Sequence, residues 1–243
     1  MPSDLALMQL HTAALHTLDS RHRLLRGRDP FRTGGEPAPR FFMGRTLEGN
    51  VWHLRHDLPD ALARRLAGLA SGEPVCPEPE QLEAPPAAAP VIRRLLAGQG
   101  GPAEDHGGPA FYAPQTWTVP AAAVETALVQ EGDESLLDGD LAALELRPFL
   151  PLIQPCVVAL QRGRAVAACF SSRTTDQAME AGLETLPPWR RRGYGLAAAA
   201  RWVAEVRRSG RQPLYSTSWG NLASRGLARR LGLALYAGTW SVT

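Results

Sequence analysis

The sequence of 243 residues contains 26 arginines and no lysine. This absence excludes a lysine Schiff base, a pyridoxal-phosphate lysine and the lysine of a P-loop. The chain also has no run of about 18 apolar residues, which predicts no membrane span. Its N-terminus lacks the basic and apolar regions of a signal peptide. The three scattered cysteines are typical of a reducing compartment and lack metal-ligand spacing, so we expect a cytoplasmic protein without a metal.

Charge is distributed unevenly along the chain, although the net charge is only +2. Residues 156–243 hold 13 arginines and four acidic residues, a net charge of +9. Residues 1–155 hold 13 arginines and 20 acidic residues, a net charge of −7. This asymmetry predicts that the C-terminal part binds an anion, which is either a nucleotide-like cofactor or a nucleic acid.

A change of composition in the middle of the chain suggests a domain boundary. Ten of the 21 prolines lie between residues 72 and 120, together with the pair Gly107-Gly108. Only Pro90 to Gly98 has a helical pattern there, so the stretch is interpreted as loops and linker. We therefore predict an N-terminal extension or subdomain over residues 1–118, helical and irregular, and a second domain over residues 119–243.

Periodicity predicts secondary structure on both sides of this linker. Before it we expect a helix over residues 4–25, strands at 41–43 and 51–54, and a helix over 57–69. After it we expect a strand at 124–130 and a helix over 136–146. From Cys156 the pattern sharpens: it predicts a hairpin of strands 156–160 and 165–170, a strand 178–186, a helix 196–208, a strand 214–218, a helix 221–231 and strands 233–236 and 239–242. This order implies a mixed α/β fold, with a hairpin that leads into a strand–helix–strand unit.

The segment from Glu180 to Leu196 combines features of an anion site. An acidic strand ends at Pro187-Pro188, and three arginines and two glycines follow before an alanine-rich helix. The N-terminus of a helix presents unpaired N–H groups and a partial positive charge, and glycines let an anion approach closely. Arginines add fork-shaped donors. The segment is therefore predicted to be a phosphate site next to side chains that could transfer a proton.

Two motifs resemble those of the GNAT superfamily of N-acyltransferases. Arg190 to Gly195 reads Arg-Arg-Arg-Gly-Tyr-Gly, which matches the Arg/Gln-x-x-Gly-x-Gly/Ala signature. Asn221 at a predicted helix start, with Leu231 to Leu233 at its end, is similar to the second signature of the superfamily. The resemblance implies a mixed, mostly antiparallel twisted sheet flanked by helices, and an acyl-CoA site.

By this resemblance, the arginine turn and the second motif hold acetyl-CoA or another acyl-CoA, without a metal. The backbone near Leu186 is implied to pair with the pantetheine amides, and one N–H there to polarise the acetyl carbonyl. The implied cofactor-binding residues are Thr185, Leu186, Arg190, Arg191, Arg192, Gly193, Tyr194, Gly195, Leu196, Asn221 and Ser224.

Glu180 is the candidate general base, because amine attack on a thioester needs a proton acceptor. Several GNAT members carry a catalytic glutamate six residues before the position of Leu186. Glu184 shares a strand face with Glu180 and is a second candidate, for the base or for recognition of the substrate amine. The structural alternative is that both acids pair with surface arginines.

The general acid is not identified by the motifs. Many GNAT members place a tyrosine where this chain has Ala228, so Tyr236 and Ser218 are the nearby substitutes. A CoA thiol with a pKa near that of cysteine, about 8.5, leaves with little help from an acid.

The resulting prediction is an N-acetyltransferase in which an amine attacks acetyl-CoA directly in a ternary complex. One alternative is a CoA-binding sensor or an inactive GNAT-like module. A further alternative is a nucleic-acid-binding protein, although the C-terminal arginines lack an aromatic stacking platform. The expected partners are acetyl-CoA and an amine, without a membrane, and a homodimer is left open.

Overall fold

The structure is a computed structural model, and it describes residues 2–98, 104–120 and 124–243. The α-helices in these ranges are α1 Asp4–Leu15, α2 Asp60–Ser71, α3 Ala89–Ala97, α4 Tyr194–Arg208 and α5 Leu222–Arg230. The strands are β1 His16–Leu18, β2 Leu24–Gly27, β3 Glu36–Pro37, β4 Phe41–Arg45, β5 Asn50–Leu54, β6 Asp105–Tyr112, β7 Thr126–Val129, β8 Cys156–Gln161, β9 Arg164–Thr174, β10 Ala178–Thr185, β11 Gln212–Ser216 and β12 Ala234–Val242. Short 3₁₀ helices cover Pro79–Leu82, Glu134–Leu137, Gly139–Leu144, Arg147–Leu152 and Pro187–Trp189.

A nine-stranded sheet organises the described residues, in the order β5–β4–β12–β6–β11–β10–β9–β8–β7. Its neighbouring strands are antiparallel, except that β10 and β11 are parallel. Helix α4 is the crossover between these two parallel strands, as a parallel pair requires. The strands β1, β2 and β3 form a second, smaller sheet in that order. The predicted mixed, mostly antiparallel sheet with flanking helices is confirmed.

Helices cover both faces of the large sheet. On one face α4 contributes Trp202 and Val203 to a buried cluster that also contains Tyr215 of β11. On the other face α1 contributes Met8 to a cluster with Leu214 of the same strand. Successive residues of a strand point to opposite faces, so β11 presents Tyr215 towards α4 and Leu214 towards α1.

Strands from the first half of the chain belong to this same sheet. β4 pairs with β12, whose residue Trp240 lies opposite Met43. β6 lies between β12 and β11 near the centre of the sheet. The boundary predicted between residues 118 and 119 stays a prediction, and strand pairing runs across it.

The interpretation of residues 72–120 as loops and linker was wrong for β6. The pair Gly107-Gly108 indicated a loop, but it lies inside a strand where neighbouring backbones approach closely. A Cβ atom on Gly108 would lie 1.6 Å from the carbonyl oxygen of Thr217, and one on Gly107 would lie 2.7 Å from that of Thr239. Glycine is required there by tertiary contact rather than by a turn. Residues 99–103 of the predicted linker lie outside the described residues.

Three other predicted elements differ from the structure. The helix predicted over residues 4–25 ends at Leu15, because the chain becomes extended at His16. The helix predicted over 136–146 is replaced by 3₁₀ helices, since Gly139 and Glu145 adopt positive φ angles of 66° and 51°. The two final strands are a single strand, β12, with an irregularity between Leu235 and Ala237.

Candidate active site

The parallel strands β10 and β11 separate after a short stretch of pairing. They pair only from Ala178 to Glu180 on β10, with Glu180 opposite Leu214. β10 continues to Thr185 and remains paired with β9 on its other edge. A gap therefore opens between the two strands immediately beyond Glu180.

The edge of β10 that faces this gap carries free backbone groups. The N–H of Leu186 donates to the carbonyl oxygen of Val166 at 3.0 Å, so this N–H is directed away from the gap. By the period of two, the backbone groups of Leu183 and Thr185 point towards it. The N–H of Leu186 itself therefore does not face the gap. The carbonyl oxygen of Thr185 accepts from Nε of Arg190 at 3.0 Å, so the free edge consists of the backbone groups of Leu183 and the N–H of Thr185.

The arginine turn connects β10 to α4. Arg191 and Gly193 adopt left-handed conformations, with φ angles of 59° and 91°. No side chain caps the N-terminus of α4 at Gly193, so the first N–H groups of the helix lack a side-chain acceptor. A Cβ atom on Gly195 would lie 2.7 Å from Thr185 Oγ1. Glycine there lets α4 begin directly against the end of β10.

A cavity of about 1100 Å³ lies between the gap, the arginine turn and α5. Eight of the residues predicted to bind the cofactor line it: Thr185, Arg190, Arg191, Gly193, Gly195, Leu196, Asn221 and Ser224. Residues that the sequence analysis missed also line it: Leu183, Tyr215, Leu222, Ala223, Gly226, Leu227, Arg229 and Arg230. Glu184 is exposed and lies at the same cavity. Four arginines line the cavity and give it a strongly positive wall: Arg190, Arg191, Arg229 and Arg230.

The three remaining predicted cofactor residues do not line this cavity. Leu186 is used in strand pairing as described above. The guanidinium of Arg192 stacks over the ring of Trp189 at 5.3 Å. Tyr194 is buried, and its hydroxyl donates to Gln161 Oε1 of β8. These side chains support the turn rather than face the cavity.

The start of α5 forms the opposite wall. Asn221 caps the helix, because its Oδ1 accepts the N–H of Ser224 at 3.0 Å. The Oγ of Ser224 lies 2.6 Å from the hydroxyl of Tyr215. Burial raises the pKa of Tyr215 to about 12, against a smaller lowering by the hydrogen bond with Ser224. Tyr215 therefore presents a neutral hydroxyl to the cavity. The alternation of side chains along β11 between the two faces of the sheet was the sequence signal that could have identified it.

Glu180 lies on the α1 side of the sheet and is only 2% exposed. Its Oε1 accepts two hydrogen bonds from Ser216, at 2.7 Å from the backbone N–H and at 2.6 Å from the hydroxyl. Its Oε2 lies 3.1 Å from Nε2 of His11 in α1. Burial raises the pKa of Glu180, but His11, the hydroxyl of Ser216 and the charge of Arg173 together outweigh burial and leave that pKa below its ordinary value.

Tyr236, the predicted substitute for the general acid, belongs to this buried network. Its hydroxyl lies 2.5 Å from Nδ1 of His11, and the residue is 1% exposed. Burial raises the pKa of Tyr236 well above its ordinary value. The two predicted catalytic residues, Glu180 and Tyr236, are therefore joined through His11. No pattern in the sequence pointed to His11, which lies 225 positions from Tyr236.

Residues 156–238 match the family model described as GNAT acetyltransferase. An acetyltransferase from the GNAT family of Colwellia psychrerythraea has the same fold, with a TM-score of 0.50 at 12% identity over 100% of this chain and 98% of its own. Over residues 156–238 the chain is similar to the GNAT acetyltransferases.

Two further GNAT structures are similar to the chain. A GCN5-related N-acetyltransferase-like protein from Streptococcus suis matches at 15% identity over 85% of both chains, with a TM-score of 0.49. A GCN5-related N-acetyltransferase from Kribbella flavida matches at 23% identity with a TM-score of 0.46. That match covers 63% of this chain and spans 63% of the Kribbella structure, less than two thirds of its length. No curated protein matches the chain.

The cavity lies within the range that matches the GNAT model, whereas the buried network around Glu180 extends beyond that range. The residues that line the cavity all lie between positions 183 and 230, inside the matched range. His11 lies outside that range and reaches Glu180 from α1. In the described parts of the chain no cluster of three or more His, Cys, Asp or Glu side chains could hold a metal ion. None of the described helices is both long and apolar enough to cross a bilayer.

Proposed function

We propose that this protein is an N-acyltransferase that moves an acetyl group from acetyl-CoA to an amine by direct attack in a ternary complex. The observation that carries the proposal is the cavity of about 1100 Å³, which joins the open edge of β10 to an arginine-rich helix N-terminus. A thiol ester with a long amide-bearing arm and a pyrophosphate matches both features. We infer a CoA thioester because the arginines suit its pyrophosphate and the free backbone groups of β10 suit its amides.

The chain offers separate groups for the parts of acetyl-CoA, which supplies a reactive acetyl thioester. The turn from Arg190 to Gly195 offers uncapped helix N–H groups and arginine donors for the pyrophosphate. Asn221 and the free edge of β10 at Leu183 and Thr185 offer hydrogen bonds to the pantetheine amides. The residues present thus fit the group.

On the acceptor side, Glu180 holds an ionised carboxylate beside the gap and is proposed as the general base. Glu184 lies at the cavity and is proposed to contact the substrate amine. Tyr236 is buried on the α1 side, so the neutral hydroxyl of Tyr215 is better placed to stabilise the leaving thiol. A thiol with a pKa of about 8.5 needs little such help.

The second candidate function is a CoA-binding sensor. Two observations favour it: Glu180 is almost fully buried, and Ala228 stands where many GNAT members carry a tyrosine. A sensor would bind acetyl-CoA in the same cavity and release no free thiol when amines are supplied.

Thermal unfolding with acetyl-CoA, followed by an amine panel, tests these proposals. At a ligand concentration of about 100 times Kd, binding adds about 2.7 kcal/mol to the free energy of unfolding. For a chain of this size we expect a rise in Tm of roughly 5–10 °C. Release of free thiol with at least one amine supports the enzyme, whereas a Tm rise without thiol release supports the sensor. A Tm that responds to single-stranded DNA and not to acetyl-CoA contradicts both.

A further inference from the structure

The carboxylate of Glu180 is enclosed by the protein. Oε1 is occupied by the two donors of Ser216, Oε2 faces His11, and only 2% of the residue is exposed. An amine in the gap between β10 and β11 therefore has no direct route to this carboxylate. Any proton that reaches Glu180 from the gap must pass through a neighbouring polar atom.

Ser216 is the hydrogen-bond partner of Glu180 that is not fully buried. It is the last residue of β11, at the point where that strand no longer pairs with β10. Its side chain is on the same face as Glu180, and the residue is partly exposed rather than buried. Its Oγ donates to Oε1 at 2.6 Å, so the hydroxyl that touches the buried carboxylate belongs to a partly exposed residue at the end of β11.

We propose that Ser216 Oγ receives the proton of the acceptor amine and passes its own proton to Glu180 Oε1, while His11 and Tyr236 position the carboxylate. This inference rests on the proposed N-acyltransferase function and adds a residue that accepts the proton. Ser216 is the catalytic residue here, because it touches the amine, and His11 and Tyr236 are positioning residues.

The proton balance of the step is complete without another reactant. The nitrogen of the neutral amine forms a bond to the thioester carbonyl carbon and loses one proton to Ser216 Oγ. The hydroxyl proton of Ser216 moves to Glu180 Oε1 at the same time. The carbon–sulfur bond breaks and leaves its electron pair on sulfur. Glu180 then returns the proton through Ser216 to the thiolate or to solvent, which restores the starting state.

His11 and Tyr236 hold the carboxylate in position from two other elements. His11 of α1 faces Oε2 at 3.1 Å, and Tyr236 of β12 lies 2.5 Å from the other ring nitrogen of His11. Arg173 of β9 is the further charged group that lowers the pKa of Glu180. His16 lies nearby, since the charges of Arg173 and His11 both lower its pKa. With Oε2 engaged by His11, Oε1 is directed at Ser216.

Replacement of Ser216 tests the relay. Ser216→Ala keeps the backbone N–H that donates to Oε1 and removes only the hydroxyl. Since general base catalysis contributes about 10²–10⁴-fold, we expect kcat to fall by about 10²-fold, while the KM for acetyl-CoA changes by less than about twofold. Ser216→Thr, which restores a hydroxyl, should recover most of kcat.

Ser172→Ala is the matched control. Ser172 Oγ donates to the backbone carbonyl of Glu180 at 3.1 Å and not to its carboxylate. The control therefore removes a serine hydroxyl next to Glu180 without touching the proposed route. A kcat for Ser216→Ala that equals the kcat of this control would overturn the inference.

His11→Gln provides a second test that does not depend on Ser216 variants folding. The charge and the hydrogen bond of His11 lower the pKa of Glu180, so their loss raises it. The carboxylate is the active form above its pKa, and kcat should therefore begin to fall at a higher pH in His11→Gln than in the wild type. A purely structural His11 would lower Tm and leave the acid limb of the kcat–pH profile in place, which would contradict the positioning role.

These outcomes separate the inference from the proposed function. If the wild type releases no thiol with any amine, the N-acyltransferase proposal fails and the relay falls with it. If the wild type is active and both Ser216→Ala and His11→Gln behave like Ser172→Ala, only the relay is wrong.

Discussion

The two sides of the gap beside β10 are built in opposite ways. On the α4 side, the cavity is open and polar, and its arginines and backbone groups come from one segment between positions 183 and 230. On the α1 side, Glu180, His11 and Tyr236 are each at most 2% exposed and come from three separate elements, β10, α1 and β12. The cavity leaves donors free for a ligand, whereas the polar groups of the buried network face one another within the protein.

This difference matches the two roles that we propose, cofactor binding on the open side and proton transfer on the closed side. Free donors on the open side cost little because water satisfies them until a ligand displaces it. An ionised carboxylate on the closed side is stable only because Ser216 and His11 surround it. Substitutions on the open side should therefore change affinity, and substitutions on the closed side should change turnover or folding.

Glu180→Gln should have the largest effect. Glutamine keeps the shape of the side chain and can still accept from Ser216, but it cannot take up a proton at neutral pH. We expect kcat to fall by about 10²–10⁴-fold, while the Kd for acetyl-CoA, measured by calorimetry, stays within about twofold. An unchanged kcat would exclude Glu180 as the base, and a large rise in Kd would show that the two sides are not separate.

Local motifs in the sequence located the turn and the helix start of the open side, whereas no local pattern located His11 on the closed side. Arg190 to Gly195 and Asn221 are local motifs whose chemistry depends on a turn and a helix start, and both lie where they were expected. His11 has no local signature, since its role arises only when α1 meets β10 across the fold. β6 was missed for the same reason: its glycines are explained by the backbones of neighbouring strands, which no window of sequence contains.

The closed side should also make the protein sensitive to acid. Burial, with the charges of Arg173, His53 and His11, lowers the pKa of His16 to about 3 from an ordinary 6.5. The unfolded chain therefore binds the proton first, and stability is lost as the pH falls from 6.5 towards 3. At about 1.36 kcal/mol per pH unit, the loss at pH 4 reaches about 3 kcal/mol.

His16→Phe should reduce this loss, because phenylalanine does not titrate and can still contact Phe42 edge to face. The measurement is urea unfolding at pH 7 and pH 4 for both proteins. His22→Asn is the control: His22 is exposed, and its left-handed φ of 57° suits asparagine. An equal acid loss in the wild type and in His16→Phe would contradict the assignment.

On the open side, two neighbouring arginines offer a sharper comparison. Arg191 lines the cavity, whereas Arg192 stacks over Trp189. A hydrogen bond to a charged group contributes about 1.5–3 kcal/mol, so Arg191→Gln should weaken acetyl-CoA binding by about tenfold or more. Arg192→Gln should weaken it less, and neither variant should change kcat at saturating acetyl-CoA. Equal losses of affinity would show that net charge, rather than the position of the side chain, attracts the ligand.

The smallest expected effect separates two roles of Asn221 at the cavity wall. Its Oδ1 caps α5 by accepting the N–H of Ser224, and its proposed second role is a hydrogen bond to pantetheine. Loss of a cap costs about 1 kcal/mol, and serine is about as good a cap as asparagine. Asn221→Ala should therefore lower the free energy of unfolding by about 1 kcal/mol, while Asn221→Ser should leave it unchanged.

Affinity then decides the second role of Asn221. The serine side chain in Asn221→Ser is short and has no amide, so it can cap α5 but cannot extend the same hydrogen bond into the cavity. If Asn221 contacts the pantetheine arm, both variants should bind acetyl-CoA about fivefold more weakly, as the loss of one neutral hydrogen bond of about 1 kcal/mol implies. If only Asn221→Ala binds more weakly, Asn221 acts as a helix cap alone, and the free edge of β10 at Leu183 and Thr185 is left to bind the arm.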